Sequence, residues 1–341
     1  MILVTGGSGH LGANLVRRLL EDGHPVRAII RRGSDNRALD GLDLEQVEAD
    51  IRDPDAISRA MQGCELVYHC AAKVSIHRDF RREIYNCNVL GTRNVLRAAR
   101  DAGIRKVVVS GSFSATGRTP GRPSNEEDRF YPFEQHLLPY EHSKMLVEHE
   151  CLRAAVEGQD VVVAVSCAIL GPHDYKPSRM GKVLVDFANG KLRAYMNGGF
   201  DFVAARDIVQ GHVLAMERGR SGQKYIISTR FATMDEIMDL YQQLSGRERP
   251  KLRLPFPIMA GIVKVLEQTV TRVKPESPKR FTPASMRFLR SRRQADTGKA
   301  RRELGYEPTS LEQAMQAAYD DFVRRGLIQA RSAAAESPYA T

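Results

Sequence analysis

Residues 2–12 read Ile-Leu-Val-Thr-Gly-Gly-Ser-Gly-His-Leu-Gly, and the fold is decided there. Ile2–Thr5 has strand character, and Gly6, Gly9 and Gly12 follow it in GxxGxxG spacing. Gly9–Asp22 then carries Leu11, Leu15, Val16, Leu19 and Leu20 on one face and stops at Gly23, the pattern of an amphipathic helix. At a strand-to-helix turn, glycine permits the sharp reversal and the approach of a pyrophosphate to the backbone, and lets the helix pack close to the strand. The free N–H groups and dipole at the helix start favour a phosphate. Gly6, Gly9, His10, Leu11 and Gly12 are thus the expected cradle of a dinucleotide.

Outward from this unit, strand and helix patterns alternate. Strands are expected at Val26–Ile30, Gln46–Ala49, Glu65–Cys70, Lys106–Ser110 and Val161–Ser166, and helices at Asp55–Met61, Arg82–Ala102 and Tyr140–Glu157. Such alternation predicts βαβ units, hence an α/β fold: a Rossmann-type doubly wound parallel sheet covered on both faces. After Cys167 the pattern loosens. Gly171-Pro172 and Pro177-Ser178 read as loops, Met180–Asn189 as a helix, Val203 and Tyr225–Ile227 as short strands, and Leu311–Arg325 as a last helix. The division expected is a dinucleotide-binding domain over 1–170, joined by elements near 203–218. A smaller irregular substrate lobe spans most of 171–330, and a flexible tail covers 331–341.

The second strand ends Ile29-Ile30-Arg31-Arg32-Gly33, with no carboxylate before Asp35. An acid at that place holds the ribose 2′-hydroxyl of NAD, whereas arginine suits a 2′-phosphate. Arg31 and Arg32 therefore point to NADP(H), with NAD as the alternative. Asp50-Ile51, after the third strand, is placed to meet the adenine, and Cys70-Ala71-Ala72 to pass beneath the cofactor.

Tyr140 and Lys144 stand four apart on one helix face. A free tyrosine is a poor acid–base at neutral pH, and an adjacent ammonium lowers its pKa. With eleven Tyr and twelve Lys in 341 residues, about 0.4 YxxxK matches arise by chance, so the position after the fifth strand carries the weight. Ser112, at the end of that strand, is placed to hold a substrate carbonyl oxygen; Ser110 and Ser114 compete for the role.

Composition narrows the rest. The chain is 42% hydrophobic and 27% charged, which supports a core and excludes disorder as the main theme. Its longest nearly continuous apolar run, Val161–Leu170, is too short to span a bilayer, and no secretory pattern opens the chain, so a cytoplasmic protein is expected. Five scattered cysteines without CxxC support neither a disulfide framework nor a zinc ribbon, and no metal site is expected. The net charge of +10 is concentrated in Arg272–Arg302, where no nucleic-acid motif accompanies it; nucleic acid is not an expected partner. The apolar stripe within Pro255–Val273, followed by that basic stretch, leaves a weak peripheral membrane contact as an idea, although packing in the lobe is the simpler reading.

These residues together resemble the extended short-chain dehydrogenase/reductase family. GxxGxxG at Gly6–Gly12, Asp50-Ile51, His69–Ala72, Asn88–Thr92, Ser110–Ser112 and Tyr140-x-x-x-Lys144 stand in family order, as do Arg206-Asp207-Ile208 and Ala300–Tyr306. Gly171–Gly181 and Leu214–Ile227 are similar to the dihydroflavonol-reductase-like branch, and to proteins called hopanoid-associated sugar epimerases. The resemblance implies Tyr140 as acid–base, Lys144 as its partner and a ribose contact, and Ser112 as the carbonyl-polarising serine. It implies further cofactor contacts from Asn88, Ser110, Cys167 and Ile169, and a homodimer through the helices of Asn88 and Tyr140. Three departures discriminate. Phe113-Ser114 replaces the acid pair of dehydratases, Arg31-Arg32 replaces the acid of NAD-retaining epimerases, and Phe200 stands where sugar-nucleotide members place an arginine. The expected activity is NADPH-dependent reduction of a small-molecule ketone or aldehyde. The alternatives are an NDP-sugar epimerase with tightly bound NAD, a 3β-hydroxysteroid-type dehydrogenase, or a non-catalytic NADP(H) sensor. Lys73, Phe113, His173, Tyr175, Arg179 and Phe200 are candidates for the substrate pocket, and Tyr131 and Phe133 for an aromatic wall.

Overall fold

The computed structural model describes residues 1–75, 80–128, 138–258, 261, 286 and 289–329. Its first half runs β1 (Ile2–Thr5), α1 (His10–Glu21), β2 (Val26–Ile30), β3 (Glu45–Glu48), α2 (Pro54–Met61) and β4 (Leu66–His69). Then come α3 (Arg81–Tyr85), α4 (Gly91–Asp101), β5 (Lys106–Ser112), α5 (Pro139–Val156) and β6 (Val161–Ser166). The second half holds β7 (Ala168–Leu170), α6 (Arg179–Ala188), β8 (Ala194–Met196), β9 (Gly199–Ala204), α7 (Ala205–Arg218) and β10 (Lys224–Ile227). These are followed by β11 (Arg230–Thr233), α8 (Met234–Ser245), β12 (Leu252–Leu254), α9 (Gly298–Leu304) and α10 (Leu311–Arg324).

Seven strands form one parallel sheet in the order β3-β2-β1-β4-β5-β6-β10. Its centre is valine-rich because both faces are covered: α5 packs on one side of β5 and β6, and α7 on the other. The direction of winding reverses between β1 and β4, so the loops after these two strands open a crevice at their C-terminal ends, where open α/β sheets bind ligands.

Three features differ from the sequence expectation. The helix expected over Arg82–Ala102 exists, but a π-turn at Asn86–Leu90 separates α3 from α4. Lys224–Ile227 is the seventh strand of the large sheet, beyond β6, and α9 packs on α7 and β10, adding Ala300, Leu304 and Tyr306 to the sheet's core. The lobe is also more regular than its prolines suggest. Leu184, Phe187, Phe202, Tyr241, Met315 and Phe322 anchor a second hydrophobic core from α6, β9, α8 and α10. Asp207 ties the two parts together: fully buried, it accepts hydrogen bonds from the Thr309 amide and hydroxyl and from the Thr229 hydroxyl.

Among the described residues no helix is long and apolar enough to cross a membrane. Tyr131, Phe133, most of the Pro255–Val273 stripe, most of the basic stretch before residue 289 and the tail from 330 onward lie outside the described residues.

Candidate active site

The β1–α1 turn closes tightly. The Gly9 amide donates to the Gly6 carbonyl at 2.9 Å, and the Ala13 amide to the Gly9 carbonyl at 2.8 Å. Gly6 has φ +71, and a Cβ there would lie 2.7 Å from the Ala71 nitrogen. A Cβ on Gly12 would overlap the Gly6 carbonyl oxygen. Only glycine satisfies both positions, so α1 starts against the loop with its first amides facing the crevice. His10 and Asn14 both donate to the Pro172 carbonyl, at 3.1 and 2.9 Å, and so anchor the lobe's first loop to the cradle.

A buried chain of hydrogen bonds sets the floor. Thr92 donates to the Asn88 carbonyl at 2.6 Å, so its oxygen accepts from His69 Nε2 at 2.9 Å, and His69 Nδ1 accepts from the Thr5 hydroxyl at 2.7 Å. Thr5 in turn accepts from the Ala71 amide at 3.2 Å. Burial holds His69 near a pKa of about 3, keeping it neutral as this arrangement requires. Asn88, presented by the π-turn, accepts from the Lys73 amide at 2.7 Å, and donates to the Lys73 carbonyl at 3.0 Å and the Ser143 hydroxyl at 2.9 Å. The strip Cys70–Lys73 is thereby clamped beneath the crevice. Cys70 and Cys167 pack rather than react, since burial pushes both thiols up, Cys70 to about 11.

At the far end, Arg31 is exposed, its Nε 3.1 Å from the Ser34 hydroxyl, and its charge acts on both Asp50 and Lys176. Arg32 points outward, its side chain 89% exposed and 3.9 Å from Glu48. Asp50 forks onto Arg52, which holds its carboxyl below the usual range, while Ile51 is buried against Gly91.

α5 carries Tyr140 and Lys144 at the crevice. Pro139 opens the helix, and Glu141 accepts from the Leu138 amide at 2.6 Å. Ser143 donates to the Tyr140 carbonyl at 2.7 Å, and Lys144, 5% exposed, donates to the Ser110 carbonyl at 2.7 Å. The Ser112 hydroxyl is near enough to Tyr140 to lower the phenol's pKa, and it lies 2.8 Å from the Ser114 hydroxyl. Burial pushes the Tyr140 phenol up, while the neighbouring Ser112 hydroxyl and the Arg179 guanidinium pull it down. Sequence reading gave that pull to Lys144; here its ammonium is drawn to the backbone, and burial lowers its own pKa. The Ser110 hydroxyl is turned away to His212 at 2.8 Å, which leaves Ser112 beside the tyrosine.

The other pocket candidates divide. Arg179, at the start of α6, faces Tyr140. Phe113 is buried under the Arg293 guanidinium, 4.6 Å from its ring centre. Phe200 is half-buried edge-on to Phe202, and Ile169 is half-buried on β7. His173 and Tyr175 are held on the α10 side: the His173 amide donates to Asp321, and Arg325 stacks over Tyr175 at 4.5 Å. Burial lowers His173 to a pKa of about 4. Lys73 pairs with Glu83 and covers the Phe80 ring at 5.0 Å. Sequence reasoning missed Ser143 and His212; one of its signals, serine three residues after the tyrosine on the helix, was readable, whereas His212 lies 102 residues from its partner.

The model of the NAD dependent epimerase/dehydratase family matches residues 2–228. "Sterol demethylase protein B" of Methylococcus capsulatus is 43% identical over 326 residues, covering 96% of this chain and 99% of that protein. A Synechocystis protein provisionally named dihydroflavonol 4-reductase is 33% identical, with 96% and 95% covered. The crystal structure of gox2253 superposes with a TM-score of 0.82 at 30% identity, over 96% of this chain and 99% of that one. The glycine cradle, the seven-stranded sheet and these matches agree: the chain belongs to the NAD dependent epimerase/dehydratase family, the extended short-chain dehydrogenases/reductases.

Proposed function

We propose that the protein is an NADP(H)-dependent oxidoreductase that interconverts a small-molecule ketone or aldehyde with its alcohol. The observation that carries this reading is the Ser112 hydroxyl set beside Tyr140 above a cradle that only glycine can form, with Phe113 and not an acid next to the serine. The cradle fits a dinucleotide: Gly6 and Gly12 let the turn close on itself, Gly9, where a Cβ would meet only the Gly6 carbonyl oxygen, leaves the start of α1 open to a pyrophosphate, and Arg31 offers a cation for a 2′-phosphate. When bound, the nicotinamide supplies or takes up the hydride. Ser112 holds the substrate oxygen, and Tyr140 gives it a proton in reduction or takes one in oxidation. Lys144 brings a positive charge one turn along α5 from Tyr140, and in this reading that charge meets the ribose. Leu152 and Val156, 52% and 82% exposed on α5, support a homodimer through that helix. A cytoplasmic location fits the same reading.

A second reading has a sterol-type molecule as the substrate of the same residues, its hydroxyl oxidised; the sterol is favoured by the relative named sterol demethylase protein B, which matches 96% of this chain. Titration with NADPH and NADH, followed by nicotinamide fluorescence, tests the cofactor. A screen of ketones that includes 3-ketosteroids tests the reaction. Tyr140→Phe is expected to reduce turnover at least ~10³-fold while leaving NADPH binding within about twofold. Retained turnover refutes the mechanism, and tightly retained NAD moves the protein to the epimerases.

A further inference from the structure

The geometry points to His212 as the positioning residue for Lys144, acting through Ser110. His212 lies on α7, across the sheet from α5, and is fully buried. Its Nδ1 stands 2.8 Å from the Ile208 carbonyl, which can only accept, so Nδ1 carries the hydrogen. Nε2 is then the bare acceptor, and the Ser110 hydroxyl, 2.8 Å away, donates to it. The backbone carbonyl of the same serine receives the Lys144 ammonium at 2.7 Å. α7 therefore braces the side chain of residue 110, whose backbone β5 holds beside β6, and the carbonyl of that residue sets where the lysine ends, one turn along α5 from Tyr140. Two donor–acceptor assignments depend on one tautomer, and burial, which lowers His212 to a pKa of about 4, keeps the ring neutral. A protonated ring would have no lone pair for Ser110.

The surroundings of Lys144 make that carbonyl matter. The titratable groups acting on the ammonium are Cys151 and Glu148 on its own helix, Cys70 at the end of β4 and Cys87 in the π-turn; Lys144 in turn acts on His69 and His212. The one carboxylate among them, Glu148, is paired with Lys224 at 2.9 Å. In that pocket the Ser110 carbonyl is a direct hydrogen-bond acceptor for the buried charge, so moving it makes the ammonium less stable and lowers its pKa.

This inference rests on the proposed roles of Tyr140 and Lys144, and its test has a readout without turnover. In His212→Gln, His212→Phe and Ser110→Ala, two quantities would be followed from pH 6 to 10: kcat for carbonyl reduction and the NADPH dissociation constant from nicotinamide fluorescence. Loss of the anchor in His212→Phe and Ser110→Ala is expected to move the alkaline limb of kcat and the break in NADPH affinity to lower pH by about one unit. KM for the carbonyl should stay within about twofold. His212→Gln, which keeps an acceptor, is expected to restore at least half of the shift. The double variant His212→Phe/Ser110→Ala should be no worse than either single one, because both remove the same bond. An unmoved limb in Ser110→Ala, or additive effects in the double variant, would overturn the assignment, and Ser110→Ala keeps it testable if His212→Phe does not fold. If no carbonyl is reduced yet the break in NADPH affinity moves, the positioning role stands and the proposed reaction falls.

Discussion

Replacing Asn88 by alanine tests whether the π-turn exists to hold the floor of the cofactor crevice. The amide makes three hydrogen bonds, two to the Lys73 backbone and one to Ser143, and its residue is 1% exposed. Alanine leaves the Lys73 N–H and C=O without their partner. Each such group costs about 1–2 kcal/mol when half-buried, so the loss comes to about 2–4 kcal/mol. With an unfolding entropy of about 2.1 cal/mol/K per residue over the 341-residue chain, Tm should fall by about 3–6 °C. The strip Ala71–Lys73 would also loosen against the glycine loop, so NADPH should bind about tenfold more weakly. Thermal unfolding by circular dichroism and NADPH titration at 25 °C measure the two effects separately. Asn88→Asp, which keeps an acceptor for the Lys73 amide but places a charge against its carbonyl, should be at least as damaging. A Tm within 1 °C of wild type, with unchanged NADPH affinity, would refute the claim that this side chain clamps the strip.

Two further outcomes follow from the geometry. Arg31→Ser should weaken NADPH about tenfold and leave NADH within twofold, whereas Arg32→Ser, at an 89% exposed side chain, should change neither appreciably; equal losses for both cofactors in Arg31→Ser would remove the 2′-phosphate role. Burial raises Asp201 to a pKa of about 7, so the folded state holds its proton more tightly than the unfolded chain, and this contribution to stability is full below about pH 4 and fades as pH rises to 7. Urea unfolding at pH 5 and 8 should therefore show wild type losing more stability than Asp201→Asn over that interval; parallel slopes would refute the assignment.

The sequence carried the first half of the chain well because its signals are local. A glycine loop reports its own backbone, a valine run reports burial on both faces, and four-residue spacing places Tyr140 and Lys144 on one helical face. The same local reading missed the π-turn at Asn86–Leu90, since one extra residue in a helical turn leaves the apolar period nearly intact. It also passed over α8, although Thr233 and Glu236 form a capping box there, because prolines on the C-terminal side dominated the reading of that region. β10 was recognised as a strand and assigned to the lobe, because nothing in four residues says which sheet edge they will join. Its place beyond β6 is set by α7 and α9, which deliver and cover it.

What no local pattern conveys is the division of labour among three serines. Ser110, Ser112 and Ser114 are equivalent in sequence, two residues apart on one strand and its turn. The strand's alternation separates Ser110 from nothing, since 110 and 112 share a face by period; its partners separate them. α7 brings His212 to the hydroxyl of Ser110, α5 brings Tyr140 to that of Ser112, and Ser114 is left to support Ser112 from the turn. The chemistry of each serine is thus written by a different helix: α7 meets the one inside the strand, and α5 the one at its end. Swapping those elements' contacts, as the His212 and Tyr140 variants do, should alter one serine's role without disturbing the other's.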